Sequence, residues 1–194
     1  MSTSTFKFQF QNITRELPVH EVGAGTKIAY LDTLSDYELV AALSQEIAKI
    51  LCANKAFLSA ERVTLFTAEN KGVPFAYAVA RALKDCGCDK GIDLAIARKR
   101  QKMFFGSCIS TVKLSITSEA EDKLFVPEYD VKKLKNAAVV LLDDFYSTGA
   151  SINALEDLAN QCGANIIDKV VAVWEVSNEN KKPPVKYVTT LPLL

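Results

Sequence analysis

Surplus charge, histidine and long apolar runs are all scarce in this chain, and each shortage excludes something. Lys and Arg total 23 and Asp and Glu total 23, so the formal net charge is zero. Proteins that live on DNA or anionic lipid carry a basic excess that supplies counterion release or surface attraction. A balanced chain is therefore not a general nucleic-acid or membrane binder, and only local patches remain. No window approaches the roughly 18 apolar residues of a membrane span, and the opening MSTSTFKFQFQNITRELP lacks the charged start and apolar run of a secretory signal. The only histidine, His20, lies far in sequence from the Cys86-x-Cys88 pair, and no second ligand pair follows, which speaks against a zinc site. Cys52, Cys86, Cys88, Cys108 and Cys162 are an odd number set among apolar neighbours, as expected of a reducing, cytoplasmic setting. Internal repeats and low-complexity segments are also missing.

What is present describes a folded domain. Hydrophobic residues at 49% and charged residues at 24% exclude a disordered chain, and 194 residues suit a single domain. Ser35 and Glu38 are spaced as a capping box, after which Val40, Leu43, Ile47 and Ile50 recur at helical spacing to about residue 53. RVTLFTA (62–68) reads as a buried parallel strand. It turns through Glu69-Asn70-Lys71-Gly72 into an Ala-rich helix, GVPFAYAVARALKD, with Pro74 in its first turn. IDLAIA (92–97) is the next strand, ending at the basic stretch ARKRQK. Residues 107–118 alternate as an exposed antiparallel ribbon would, and the following polar stretch holds Pro127, so a mobile excursion over about 99–125 is expected. Order returns with AAVVLLDD (137–144), a helix carrying Ile152, Leu155, Leu158 and Cys162, and the strand KVVAVWEV (169–176). Alternating strands and helices predict an α/β fold, a parallel sheet flanked by helices, whose ligands bind beyond the carboxyl ends of the strands.

Chemistry gathers at those ends. The strand before Asp143-Asp144 delivers two adjacent carboxylates to the sheet edge. Phe145-Tyr146-Ser147-Thr148-Gly149-Ala150-Ser151 then enters a helix N-terminus. Unpaired N–H groups, the helix dipole and three hydroxyls make such a turn a cradle for a phosphomonoester. The carboxylates would repel that phosphate, so they should face hydroxyls. A ribose 5-phosphate has both groups. In the earlier turn, Lys71 can neutralise a diphosphate and Gly72 lets the backbone come close to it.

The Asp143-Asp144 string resembles the phosphoribosyl-diphosphate motif of the type I phosphoribosyltransferases: a hydrophobic strand, two acidic residues, three variable positions and a Thr-Gly pair. Ala150 stands where many members have a second glycine. The resemblance covers about residues 26–175 and implies a type I phosphoribosyltransferase-like sheet. It also implies a hood of approximately 1–35 plus 177–194 and a core of approximately 36–176, all in one domain. On the same ground Asp143 and Asp144 would hold the ribose hydroxyls and Ser147 to Ser151 the 5-phosphate. Glu69, Asn70, Lys71 and Gly72 match the family's pyrophosphate loop, and Arg98 and Lys99 its cationic loop, so these six would hold the diphosphate. Asp143, Asp144 and Lys99 would be the catalytic residues, with Mg²⁺ held mainly by the substrate, aided by Asp143 and Asp144. Closure of the loop would exclude water.

The base is less defined. Tyr30, Asp32, Phe145 and Val176 are the candidates. Asp32 falls near the base-contacting Asn of xanthine enzymes, while Val176 stands where those enzymes have a Lys. Ser115 and Thr117 are similar to the xanthine enzymes' Ser-x-Thr ribbon, and the Glu-Tyr-Gly of adenine enzymes is not reproduced. The resemblance implies a purine phosphoribosyltransferase of adenine or xanthine type, using phosphoribosyl diphosphate and a nucleobase and acting as a homodimer. Lys71-Gly72-Val73-Pro74 is similar to orotate enzymes, which keeps that activity open. A sensor that binds phosphoribosyl diphosphate without turnover is the reading from another class.

Overall fold

The computed structural model describes residues 4–22, 25–113, 122–177 and 182–194. An antiparallel sheet of β1 (Thr5–Phe10), β2 (Ile13–Val22) and β3 (Thr26–Ala29) precedes the helices α1 (Tyr37–Cys52) and α2 (Lys55–Ser59). The chain continues through β4 (Arg62–Ala68), α3 (Gly72–Asp85) and β5 (Gly91–Ala97), then the antiparallel pair β6 (Cys108–Lys113) and β7 (Asp122–Pro127). It closes with α4 (Glu128–Leu134), β8 (Ala138–Tyr146), α5 (Ala150–Gln161), β9 (Asn165–Val176) and β10 (Lys186–Pro192). The main sheet is five-stranded and parallel, in the order β10-β9-β8-β4-β5. No helix among the described residues is long and apolar enough to cross a membrane.

The unbroken apolar run of β8 follows from burial on both faces. Val139 and Leu141 meet Phe66, Val171, Leu155 and Leu158 on one side. Val140 and Leu142 meet Leu65, Leu43, Ile47 and Phe75 on the other. Each fully buried aliphatic side chain contributes about 1.5–3 kcal/mol of hydrophobic stabilisation, so this strand is held firmly in register. At the sheet's outer edge Trp174 of β9 lies 5.1 Å from the ring of Tyr187 on β10.

The structure refines the sequence expectations at several places. The capping box at Ser35 and Glu38 does not form: Asp36 caps α1 by accepting the Leu39 N–H at 3.1 Å. Ser35 donates instead to Asp32, and Glu38 accepts from Arg15 of β2 at 2.7 Å. The tail, whose sequence reads as a loop with two prolines and one edge strand, supplies that edge strand to the main sheet, because Val188, Thr189 and Thr190 are suited to strand pairing beside β9. Leu194 reaches back to β3, exchanging backbone hydrogen bonds with Lys27. The polar stretch around Pro127 is β7 followed by α4, in which Pro127 takes the N-cap position and Leu124, Val126 and Leu134 are buried. Of the expected loop, residues 114–121 lie outside the described residues, Ser115 and Thr117 among them. The N-terminal segment, expected only as a hood, is an ordered sheet whose Phe8, Ile13 and Leu17 join the core.

Candidate active site

β5 lies on one side of β4 and β8 on the other, so the chain order reverses between β4 and β8. Connections diverge at such a point and leave a crevice beyond the strand ends. A cleft of about 350 Å³ occupies it. Glu69, Asn70, Lys71 and Gly72 enter from the β4–α3 turn, Lys99 from beyond β5, and Asp143, Asp144, Phe145 and Ser151 from β8 and α5. Leu34, Ala68 and Leu124 complete the lining.

Asp143 and Asp144 are the last buried residues of β8, 7% and 6% exposed. Asp143 Oδ1 accepts the N–H of Asp144 at 3.0 Å, and Asp144 Oδ2 accepts the hydroxyl of Thr33, a fully buried residue ahead of α1. The carboxylates are thus oriented by protein donors at the floor of the cleft.

The turn after β4 is tight. The Glu69-Asn70 peptide is cis, and a Cβ at residue 72 would fall 2.0 Å from Thr67 Oγ1, so glycine is required there. Lys71 leans toward the hood: its ammonium donates to the Leu31 carbonyl at 3.3 Å and lies 4.7 Å from the centroid of the Tyr30 ring. Glu69 departs from the role expected of it. Its carboxylate accepts from Arg98 Nη1 at 3.1 Å and from the Lys99 N–H at 3.0 Å, and a carboxylate would repel the diphosphate it was expected to hold. Arg98 is accordingly turned to Glu69 and does not line the cleft. Burial works against its charge, but the Glu69 hydrogen bond and the nearby Tyr129 outweigh that, and the guanidinium sits above its ordinary value. These two residues tie the β4 turn to the end of β5, and Lys99 is left as the cation at that edge.

Helix α5 starts at Gly149, whose φ is +84° and whose Cβ would fall 2.6 Å from the Tyr146 hydroxyl. Glycine at the cap offers no side-chain acceptor of its own, and although the Ala150 N–H reaches Thr148 Oγ1 at 3.4 Å, the N–H groups that follow in the first turn keep their affinity for an anion. The first turns of α3 and α5 contain no acidic residue, whereas α1 has Glu38 there and α4 has Glu128 and Asp130. The first turn of α2 is likewise free of acidic residues, but α3 and α5 are the helices that begin at the cleft, and neither repels a negative ligand there. Ser147 donates its hydroxyl to Glu175. Thr148 and Ala150 line a neighbouring groove with Thr111 and Asp157.

Of the base candidates, half-buried Phe145 lines the cleft, while Tyr30, Asp32 and Val176 do not. Asp32 is engaged in its own turn. The Ser35 hydroxyl, and then the Leu34 N–H at 2.9 Å, hold its carboxyl below the usual range. Val176 pairs with Pro192 at the sheet edge. The contact of Thr33 with Asp144 left no mark on the sequence, because a lone threonine in a loop carries no pattern and its partner is 111 residues away.

The chain is 26% identical over 150 residues to the probable purine biosynthesis transcriptional regulator PurR of Streptococcus pneumoniae, covering 77% of this chain and 50% of that protein. It thus spans about half the length of the curated relatives it matches first. Among solved structures, the adenine phosphoribosyltransferase of Giardia lamblia complexed with 9-deazaadenine superposes with a TM-score of 0.64 at 16% identity, covering 90% of this chain and 93% of that one. The adenine phosphoribosyltransferase of Thermoanaerobacter pseudethanolicus gives 0.62 at 18%, covering 84% and 89%. These likenesses show the fold. The phosphoribosyl transferase domain model matches residues 31–193, a span holding the switch-point cleft, the β4 turn and the acidic pair, and the chain therefore belongs to the phosphoribosyl transferase domain family.

Proposed function

We propose that the chain is a purine phosphoribosyltransferase of adenine or xanthine type, moving the 5-phosphoribosyl group of phosphoribosyl diphosphate onto a purine nitrogen in nucleotide salvage. The observation that carries this reading is one cleft in which the buried acidic pair, Lys71, Lys99 and the start of α5 meet. The 5-phosphate would rest on the first turn of α5 with the hydroxyls of Ser147, Thr148 and Ser151, and Asp143 and Asp144 would accept the ribose hydroxyls. Asn70, Lys71, the Gly72 backbone and Lys99 would take the diphosphate. As the base nitrogen bonds to C1 of the sugar, the C1–oxygen bond breaks and its electron pair leaves with diphosphate. Lys71 and Lys99 neutralise that growing charge. Phe145 offers a face on which a purine could stack.

The donor set fits a Mg²⁺ held mostly by substrate. Asp143 and Asp144 are hard oxygen ligands, and among the described residues no group of three or more His, Cys, Asp or Glu forms a cage. When bound, the ion would supply positive charge against the leaving diphosphate, with Asp143 and Asp144 as the chain's own oxygen donors to it. The reading includes a cytoplasmic homodimer, by family likeness. The names of the two superposed enzymes favour a purine over orotate.

The relative's name as a transcriptional regulator favours one second reading, a protein that binds phosphoribosyl diphosphate without turnover. Incubation with Mg²⁺, phosphoribosyl diphosphate and, in turn, adenine, guanine, hypoxanthine, xanthine, uracil and orotate separates the two. Diphosphate release with a purine is the expected result. Tight binding of phosphoribosyl diphosphate with no release on any base would replace the enzyme with the sensor.

A further inference from the structure

The turn between β3 and α1 touches both halves of the cleft. Thr33 is wholly buried and gives its hydroxyl proton to Asp144 Oδ2. Two residues earlier, the Leu31 carbonyl accepts from Lys71. The two contacts differ in kind. Lys71 is met by a backbone carbonyl and can rotate its three donors, whereas the Asp144 carboxylate is only 6% exposed and accepts the Thr33 hydroxyl, so that contact limits its orientation.

We propose that Thr33 is a positioning residue for the sugar: its hydroxyl fixes the Asp144 carboxylate in the orientation that accepts a ribose hydroxyl, without itself touching substrate. This rests on reading the cleft as a phosphoribosyl-diphosphate site. It gives the turn before α1 a part in sugar recognition, because the residue that sets the carboxylate belongs to that turn, whose Leu34 lines the cleft, and not to β8. Removing the hydroxyl should act on the sugar end alone, since nothing in the Lys71 contact depends on it.

The test is calorimetric titration of wild type, Thr33→Val and Thr33→Ser with ribose 5-phosphate, phosphoribosyl diphosphate and magnesium diphosphate. Valine keeps the shape and removes the donor. Both sugar ligands should then bind roughly ten- to hundredfold more weakly, the usual worth of a hydrogen bond to a charged group, with magnesium diphosphate unchanged and the serine variant near wild type. Unchanged sugar affinity in Thr33→Val, or equal losses for all three ligands, would overturn the positioning role while leaving the proposed function standing. Wild-type protein that takes up no phosphoribosyl diphosphate would overturn both. Should Thr33→Val not fold, Thr33→Cys retains a weak donor and should show the same selective pattern at a smaller, severalfold loss.

Discussion

Charge placed at a strand end has to be answered by some partner, whereas the direction an individual side chain takes is set by its neighbours in the fold. Asp143, Asp144, Lys71 and Lys99 could be picked out because two carboxylates at a strand end, or a lysine before a helix, announce charge that a ligand must answer, and all four line the cleft. Glu69 and Arg98 sit in the same motifs, but whether a guanidinium turns to the cleft or to its neighbour depends on where β4 and β5 end relative to each other. Gly72 is the sharpest case of a residue required by space. Ala at that position brings a methyl against Thr67 Oγ1, a wholly buried atom, and overpacking of that kind costs about 1–3 kcal/mol. Urea unfolding of Gly72→Ala should show that loss, and Thr67→Ala in the same chain should recover part of it. A Gly72→Ala protein as stable as wild type would mean that the turn is looser than its geometry implies.

At the scale of elements, strands buried on both faces were the easy ones, since an apolar run such as that of β8 has few other fates. The N-terminal hairpin escaped although Phe6, Phe8 and Phe10 alternate with polar residues as strands do. A parallel α/β pattern gives such a hairpin no predetermined place. The start of α1 depended on tertiary structure too, because Arg15, which takes both Asp36 and Glu38, comes from β2. That pairing has a pH signature. The Arg15 hydrogen bond, with help from the Leu39 N–H, holds the Asp36 carboxyl below its ordinary 3.8. Its stabilisation is therefore complete above that value and disappears as the pH falls through the lower, folded-state value. Asparagine keeps the cap acceptor, so Asp36→Asn should lose only the ion pair with Arg15, about 0.5–1 kcal/mol at neutral pH. The difference should start to narrow near the ordinary 3.8 and close once the pH is below the lowered folded-state value. Urea titrations across pH measure it, and a gap that persists at pH 2 would assign the effect to packing.

The molecule as a whole sorts its balanced charge. Lys71 and Lys99 stand opposite the buried acidic pair across one cleft, so a sum of zero conceals a dipolar site matched to a ligand with anionic ends and neutral hydroxyls between them. The order of the sheet strands and the family span place that cleft; the grip on it through Thr33, in the turn before α1, required the folded chain. One further property follows from the sheet edge. Trp174 is the only tryptophan, 7% exposed, in register with Tyr146 and next to Glu175, which holds Ser147 of the phosphate turn. The protein therefore contains a single tryptophan, selectively excitable beside its six tyrosines and adjacent in sequence to the Glu175 partner of Ser147. Its emission should be blue-shifted when folded and shift to the red in urea. Its intensity should change as ribose 5-phosphate saturates the turn, giving a label-free optical signal for binding. Constant emission through a titration that calorimetry shows to be saturating would mean that the Ser147–Glu175 contact is untouched by the ligand.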